Sequence, residues 1–222
     1  MFGPIMRFEV GELTIELAPL ARENMPRFIE NGGMQSFEVT QYLGRSAAPV
    51  LEDEHEWFDR MRGDDSTYCW GIYLVESNRR KLIGNTSLNG INRSVMPYAT
   101  SGCLIFDQNY WKKGIASVCH RARTWYACTQ MGLSQIRSAA YDLNIGSGKA
   151  LMGVGYVPVF TERNFGFVNG EYLNMTSYSL INPIEPLWQL WWHGDPIPNE
   201  YLEARQRTQA ALDWAQKNIS FG

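Results

Sequence analysis

The sequence predicts a mixed α/β fold built on a central sheet, and three observations carry that expectation. The second half of the chain alternates strand-like and helix-like runs, the order expected of a sheet with crossover helices. The first half opens on period-two alternation, with Phe8, Val10, Leu13, Ile15 and Leu17 apolar, which marks a half-buried strand or hairpin. Three predicted helices stop at glycine, at Asn31-Gly32-Gly33, at Gly132 and at Gly155.

In order, residues 6 to 18 read as a hairpin or a strand, with Gly11 near the turn. Pro19 to Ile29 reads as a helix through Leu20, Met25, Phe28 and Ile29, and residues 34 to 50 as loop or short helix. Leu51 to Arg62 reads as a helix whose acids, Glu52, Asp53, Glu54 and Glu56, suit the positive end of its dipole, with Trp57, Phe58 and Met61 as its apolar face. Three strands follow, Tyr68 to Glu76, Lys81 to Asn89 and Thr100 to Phe106, with Asn78-Arg79-Arg80 as the first turn. A helix from about Ile115 to Met131, a strand from Gln135 to Tyr141 and a helix from Asn144 to Val154 come next. Tyr156 to Glu162 and Leu173 to Ile181 close the sheet, turning at Asn169-Gly170. The order reads βααβββαβαββ.

The tail departs from this pattern. Asn182-Pro183-Ile184-Glu185-Pro186 breaks the alternation. Trp188, Trp191 and Trp192 follow, and after a second proline linker Asn199 to Asn218 reads as a helix with a polar middle, docked at its two ends. The division is therefore 1–182 and 183–222. The tryptophans either cover the domain's flank or form a partner or homodimer interface.

A chain of 222 residues with net charge −3 can bury a core without disulfide or metal staples, and it lacks the basic excess of a nucleic-acid binder. Cys69, Cys103, Cys119 and Cys128 form no CxxC pair, and His120 beside Cys119 points another way on its helix, so no metal site is expected. No apolar run reaches the ~18 residues of a membrane span, and the first residues carry no signal-peptide pattern. The expectation is a cytoplasmic protein.

The chemistry concentrates at NYWKKGIASVCHRA, residues 109 to 122. A strand runs through a loop into a helix whose first turn offers unpaired N–H groups and partial positive charge, a ready anion site. Gly114 allows close backbone approach, Ala116 and Ser117 are small, and Lys112 and Lys113 add charge for a phosphate. The Walker phosphate loop and the GxGxxG dinucleotide fingerprint are both absent. On these residues alone, an ordinary helix start competes with a phosphate seat.

Gly114-Ile115-Ala116 resembles the acetyl-CoA loop of the GNAT superfamily of N-acetyltransferases, although Trp111 stands where that loop has Gln or Arg. Tyr110-Trp111-Lys112-Lys113-Gly114-Ile115-Ala116 is similar to the YWGKGxA variant of the ribosomal-protein N-terminal acetyltransferases, with Lys112 in place of a glycine. Asn144-Ile145-Gly146-Ser147 and Gly155-Tyr156 resemble the NxxS and GF elements of the same subgroup, as do Val39 to Leu43 and Glu56-Trp57-Phe58. The resemblance covers about residues 10 to 182. It implies the GNAT acyltransferase fold, a mixed twisted sheet flanked by helices, here with a C-terminal helical extension.

The resemblance also implies roles. Acetyl-CoA would be the acyl donor, and the acceptor a primary amine on a peptide N-terminus or a small molecule. The backbone of Leu104, Ile105 and Phe106 would pair with pantetheine. The amides of Lys112, Lys113, Gly114, Ile115, Ala116 and Ser117 would hold the pyrophosphate, Trp111 would belong to the same cofactor site, and Asn144 would hold pantetheine or a water. Leu151 occupies the place of the family's tyrosine acid, so Ser147 would either protonate the departing thiolate, directly or through water, or serve as a first-turn helix hydroxyl bonding its own backbone. Thr100 and Ser101 stand where a basic glutamate is common. Asp107 reads as a turn residue, so Glu38, Glu52, His55, Glu76 and Glu171 remain as distant candidates for the base. The absences leave a second reading open, a non-catalytic acyl-CoA-binding or interaction module.

Overall fold

Phe8, Ile15 and Leu17 are buried, and of the two expected forms, strand or hairpin, the segment takes the hairpin. β1 (Met6–Val10) pairs antiparallel with β2 (Leu13–Ala18), Val10 opposite Leu13, and Gly11 turns the corner at φ +61°. The computed structural model describes residues 1–44, 47–77 and 79–222. They divide into two units, Met1–Asn89 with Gly102–Cys119 and Asn218–Gly222, and Gly90–Ser101 with His120–Lys217.

In the first unit β3 (Tyr68–Glu76) pairs antiparallel with β2 and with β4 (Arg79–Asn92), so the chain is in strand sooner than expected. Arg79 and Arg80 belong to β4 rather than to a turn, and Asn78 lies outside the described residues. Arg80 is drawn in by Glu16, a fully buried carboxylate held between Arg80 at 2.6 Å and Arg7 at 2.7 Å. Ile83 is an extra residue in β4, since Ile72 faces Gly84 while Tyr73 faces Leu82. Its carbonyl is thereby turned to accept from the N–H groups of Phe106 at 3.0 Å and Asp107 at 3.3 Å. That contact fixes where β5 (Tyr98–Ile105) ends and the following loop begins.

The helix expected from Pro19 to Ile29 is broken. A 3₁₀ turn at Arg22–Asn24 is followed by α1 (Pro26–Ile29) alone. Pro26 has no N–H to bond backward, so it can begin a helix but not continue one. Asn24 instead accepts from the Ala21 N–H at 2.9 Å and the Tyr73 hydroxyl at 2.8 Å. Beyond it, α2 (Phe37–Thr40) is short and α3 (Leu51–Gly63) is as expected. Phe28, Met34, Val39, Phe58, Leu82 and Phe106 form the core beneath these helices. β9 (Ser220–Phe221) pairs antiparallel with β1.

α4 (Ile115–Trp125) leads into the second unit's residues and closes with one π turn, Tyr126–Gln130, before Gly132 at φ +64°. β6 (Gln135–Tyr141) lies parallel to β5 at Tyr98–Thr100, which a helical crossover permits. α5 (Ile145–Met152) is followed by the antiparallel hairpin β7 (Val157–Val168) and β8 (Glu171–Ile181). Asn169 and Gly170, both at positive φ, make its two-residue turn. In the first unit the strand order is β4-β3-β2-β1-β9 and in the second β7-β8-β6-β5, mostly antiparallel.

In the tail, α6 (Glu185–Trp192) buries Trp188 and half-buries Trp191 and Trp192. α7 (Asn199–Asn218) is docked along its length, not only at its ends, burying Ala204, Thr208, Ala211, Leu212 and Ala215. These positions share one face, and the Thr208 hydroxyl is satisfied by the Ala204 carbonyl at 3.0 Å. Gly155 makes room for that face, because a Cβ there would lie 2.0 Å from Thr208 Oγ1. The Trp125 indole donates to Gln216 at 3.3 Å, and Arg121 lies over the Trp214 ring. All four cysteines are free, Cys103 alone half-buried among them. Among the described residues no helix is long and apolar enough to cross a membrane.

Candidate active site

The first unit carries a strand-to-helix loop with an unusual backbone. Asp107 opens it, accepting from the Asn109 N–H at 3.1 Å and from Lys81 at 2.8 Å, which makes it a structural turn residue. Burial alone would raise the Asp107 pKa, but Lys81 and Asn109 outweigh it and the carboxyl is held below its ordinary value. Tyr110 lies between Lys81 and Lys113, 4.9 and 5.1 Å from its ring centre. The Trp111 indole donates to the Ile105 carbonyl at 2.7 Å, tying the loop back to the end of β5.

Two residues then take left-handed backbone, Lys112 at φ +60° and Gly114 at φ +80°. The first is the position where the similar motif has glycine, and the geometry explains that preference. Gly114 cannot cap the helix with a side chain, having none. The first helical bond runs from the Val118 N–H to the Gly114 carbonyl at 3.2 Å, so the amides of Ile115, Ala116 and Ser117 precede the ladder. Ile115 is buried and pins the turn, while residues 111 to 114 are exposed. Only Val10, at 3.9 Å, approaches the space a Gly114 side chain would fill. Neither Lys112 nor Lys113 pairs with a carboxylate among the described residues. Open space, free charge and amides ahead of the helix fit a phosphate group.

The predicted pantetheine segment lies just before this loop. Leu104 and Ile105 are half-buried and Phe106 is buried. Two of its backbone groups already have internal partners, the Phe106 N–H on Ile83 and the Ile105 carbonyl on Trp111.

The same unit holds a cavity of about 360 Å³ that reaches Leu104. β4 lines it with Asn85, Ser87 and Asn89, β5 with Gly102, Cys103 and Leu104, and the helical side with Phe28, Trp57, Met61 and Glu54. On the sequence, Glu54 belongs to an acidic run that suits either a solvated helix start or a cationic amine acceptor, and in the structure it is only 3 % exposed. The signal was its spacing, since 54, 57, 58 and 61 form one stripe. None of Glu38, Glu52, His55, Glu76 or Glu171 lines this cavity. Glu38 is exposed, and the Ser36 hydroxyl holds its carboxyl below the ordinary value.

The second unit holds Asn144 and Ser147 at the start of α5. The Asn144 side chain caps the helix, accepting from the Ser147 N–H at 3.3 Å. Leu151 is buried in the body of α5. Tyr178, which sequence reasoning passed over, brings its hydroxyl against this first turn, 3.1 Å from where a Gly148 Cβ would be. Burial raises the Tyr178 pKa, so its proton is retained at neutral pH. Thr100 is exposed, and Ser101 is buried, accepting from the Tyr156 hydroxyl at 3.1 Å. His120, expected to be packed or surface, is packed and lies against Arg123; burial and that arginine push its pKa well down.

Residues 14–157 match the family model described as Acetyltransferase (GNAT) domain, and the chain belongs to that family. Solved structures agree in fold. A spermidine N-acetyltransferase from Vibrio cholerae, in complex with CoA and spermine, superposes with TM-score 0.67 at 19% identity over 76% of this chain and 95% of its own. Mycobacterium smegmatis RimJ, in complex with CoA-disulfide, gives 0.68 at 14% identity over 99% and 96%. A putative acetyltransferase from T. thermophilus gives 0.63 at 20% over 93% and 96%. A search of curated proteins by sequence finds no match.

Proposed function

We propose that this chain transfers the acetyl group of acetyl-CoA to a primary amine by direct attack within a ternary complex. The observation that carries the reading is the start of α4 inside the family-matching segment, where an exposed loop with two left-handed residues delivers unladdered amides and two lysines to one place. Acetyl-CoA is the acyl donor. The amides of Lys112 to Ser117 take its pyrophosphate, and Lys112 and Lys113 neutralise phosphate charge. The backbone of Leu104 to Phe106 aligns the pantetheine arm, with Trp111 holding that segment in place. Asn144 fixes the first turn of α5, from which Ser147 supplies the proton for the departing thiolate. Holding the thioester beside the amine turns a bimolecular encounter into a positioned one.

The acceptor is a peptide N-terminus or a small-molecule amine, and the V. cholerae neighbour is named for the second of these, a polyamine. Four free cysteines suit a cytoplasmic setting. The domain division at residue 183 and a homodimer through the tryptophan-rich α6 belong to the same reading.

A second reading, an acyl-CoA-binding module without turnover, is favoured by Thr100, Ser101 and Leu151, none of which can replace the expected glutamate or tyrosine. Thiol release from acetyl-CoA across a panel of amines separates the two. Release that depends on an amine supports the transferase. Tight binding without release supports the module.

A further inference from the structure

α3 presents one stripe inward, residues 54, 57, 58 and 61, and three of the four are apolar. The neighbouring acids Glu52, Asp53, Glu56 and Asp59 are exposed, whereas Glu54 is buried in that stripe. Carboxylates are seldom buried in an otherwise apolar stripe. Glu54 does not face a closed core. It lines the 360 Å³ cavity whose other lining residues include Leu104, in the segment assigned to pantetheine. Asn85, Ser87 and Asn89 supply hydrogen-bonding groups there, and the Asn89 amide donates to Ser87 at 2.9 Å. Gly102 keeps the space open, since a Cβ would come within 3.2 Å of Ser87 Oγ.

We infer that Glu54 receives the proton of the acceptor amine, placing the general base on helix α3 instead of strand β5. The inference rests on the acetyl-transfer reading above. It accounts for Thr100 and Ser101, which leave the strand without a base, by supplying a carboxylate from the helical wall of the cavity that β5 lines with Gly102, Cys103 and Leu104. The step balances as follows. The amine nitrogen forms a bond to the acetyl carbonyl carbon, the C–S bond breaks, and its electron pair leaves on sulfur. Of the two protons an ammonium acceptor sheds, one passes through the Glu54 carboxylate to solvent and the other ends on the sulfur of CoA. Among the described lining residues, Cys69 and Cys103 are the other titratable groups. Burial pushes the Cys69 thiol up to about 12, so it is no base near neutral pH.

The test compares wild type, Glu54→Gln and Glu54→Asp for acetyl transfer to spermine, agmatine and an alanine tripeptide between pH 6 and 10, with acetyl-CoA affinity measured alongside. Glu54→Gln should lose about 10²–10⁴-fold in kcat/KM for the amine at neutral pH. Its affinity for acetyl-CoA should be unchanged, which also shows that it folds. The deficit should shrink as pH rises and solvent deprotonates the amine, and Glu54→Asp should recover part of the rate. Wild-type rates in Glu54→Gln, or an equal deficit at every pH, would overturn the inference while leaving the transferase reading intact. No transfer by the wild type to any of the three, with acetyl-CoA bound, would overturn both.

Discussion

Two helices of this protein begin just after a strand, and they treat their first turns in opposite ways. At α5 the chain satisfies its own amides, with Asn144 accepting from the Ser147 N–H. At α4 the residue ahead of the helix is Gly114, which has no side chain to cap with, and it sits at φ +80° beyond a left-handed Lys112. A self-capped end is a structural device. An uncapped end with open space and positive charge suits a bound anion. The residue types at the two starts record this difference, asparagine at one and glycine at the other.

The comparison can be broken most severely at Gly114. Gly114→Trp fills the open space and forces a bulky residue into left-handed backbone, and acetyl-CoA binding should fall below detection in a calorimetric titration. Circular dichroism should show the fold retained, because the position faces solvent. Next in size, Ser147→Ala should slow turnover about tenfold or more while leaving acetyl-CoA affinity near wild type, measured by steady-state kinetics. An unchanged rate would leave the α5 start a purely structural cap.

Smaller effects sharpen the contrast. Asn144→Ala should cost about 1 kcal/mol in urea unfolding, the usual value of a lost N-cap. Lys112→Gly should move stability the other way by about 1 kcal/mol, by relieving the left-handed backbone, while weakening the salt dependence of ligand binding. Finally, His120 in α4 has a folded pKa below its unfolded value, so between the two the unfolded state binds the extra proton. Stability should therefore be intact above about pH 6.5 and decline below it by up to about 1.4 kcal/mol per pH unit. His120→Gln should flatten that part of the pH–stability curve.

The same contrast explains what could be read from residues in order and what could not. β1 and β2, β3, β6, α7 and the Asn169-Gly170 turn follow their patterns closely, because each is set by local periodicity or turn chemistry. The α4 start was legible for the same reason, since glycine, lysines and a helix lie contiguously in the sequence. The break at Pro26 was open to reading too, as proline's missing N–H is a local fact that the apolar spacing of residues 20 to 29 obscured. The depth of α7 was not, because Thr208 is buried only where Gly155, some fifty residues earlier, leaves space for it. Nor was the cavity, whose walls come from α1, α3, β4 and β5. Glu54 stands in an acidic run that reads as a solvated helix start, and its spacing with Trp57, Phe58 and Met61 is the local sign that separates it from Glu52 and Asp53.

The central claim is that the open start of α4 holds the pyrophosphate of acetyl-CoA. Calorimetric titration of the purified protein with acetyl-CoA, free CoA and desulfo-CoA tests it most directly. The account predicts binding of all three, since the shared pyrophosphate carries the recognition and the sulfur does not. No heat of binding at millimolar ligand would contradict it, and would mean that Lys112 closes the loop to phosphate.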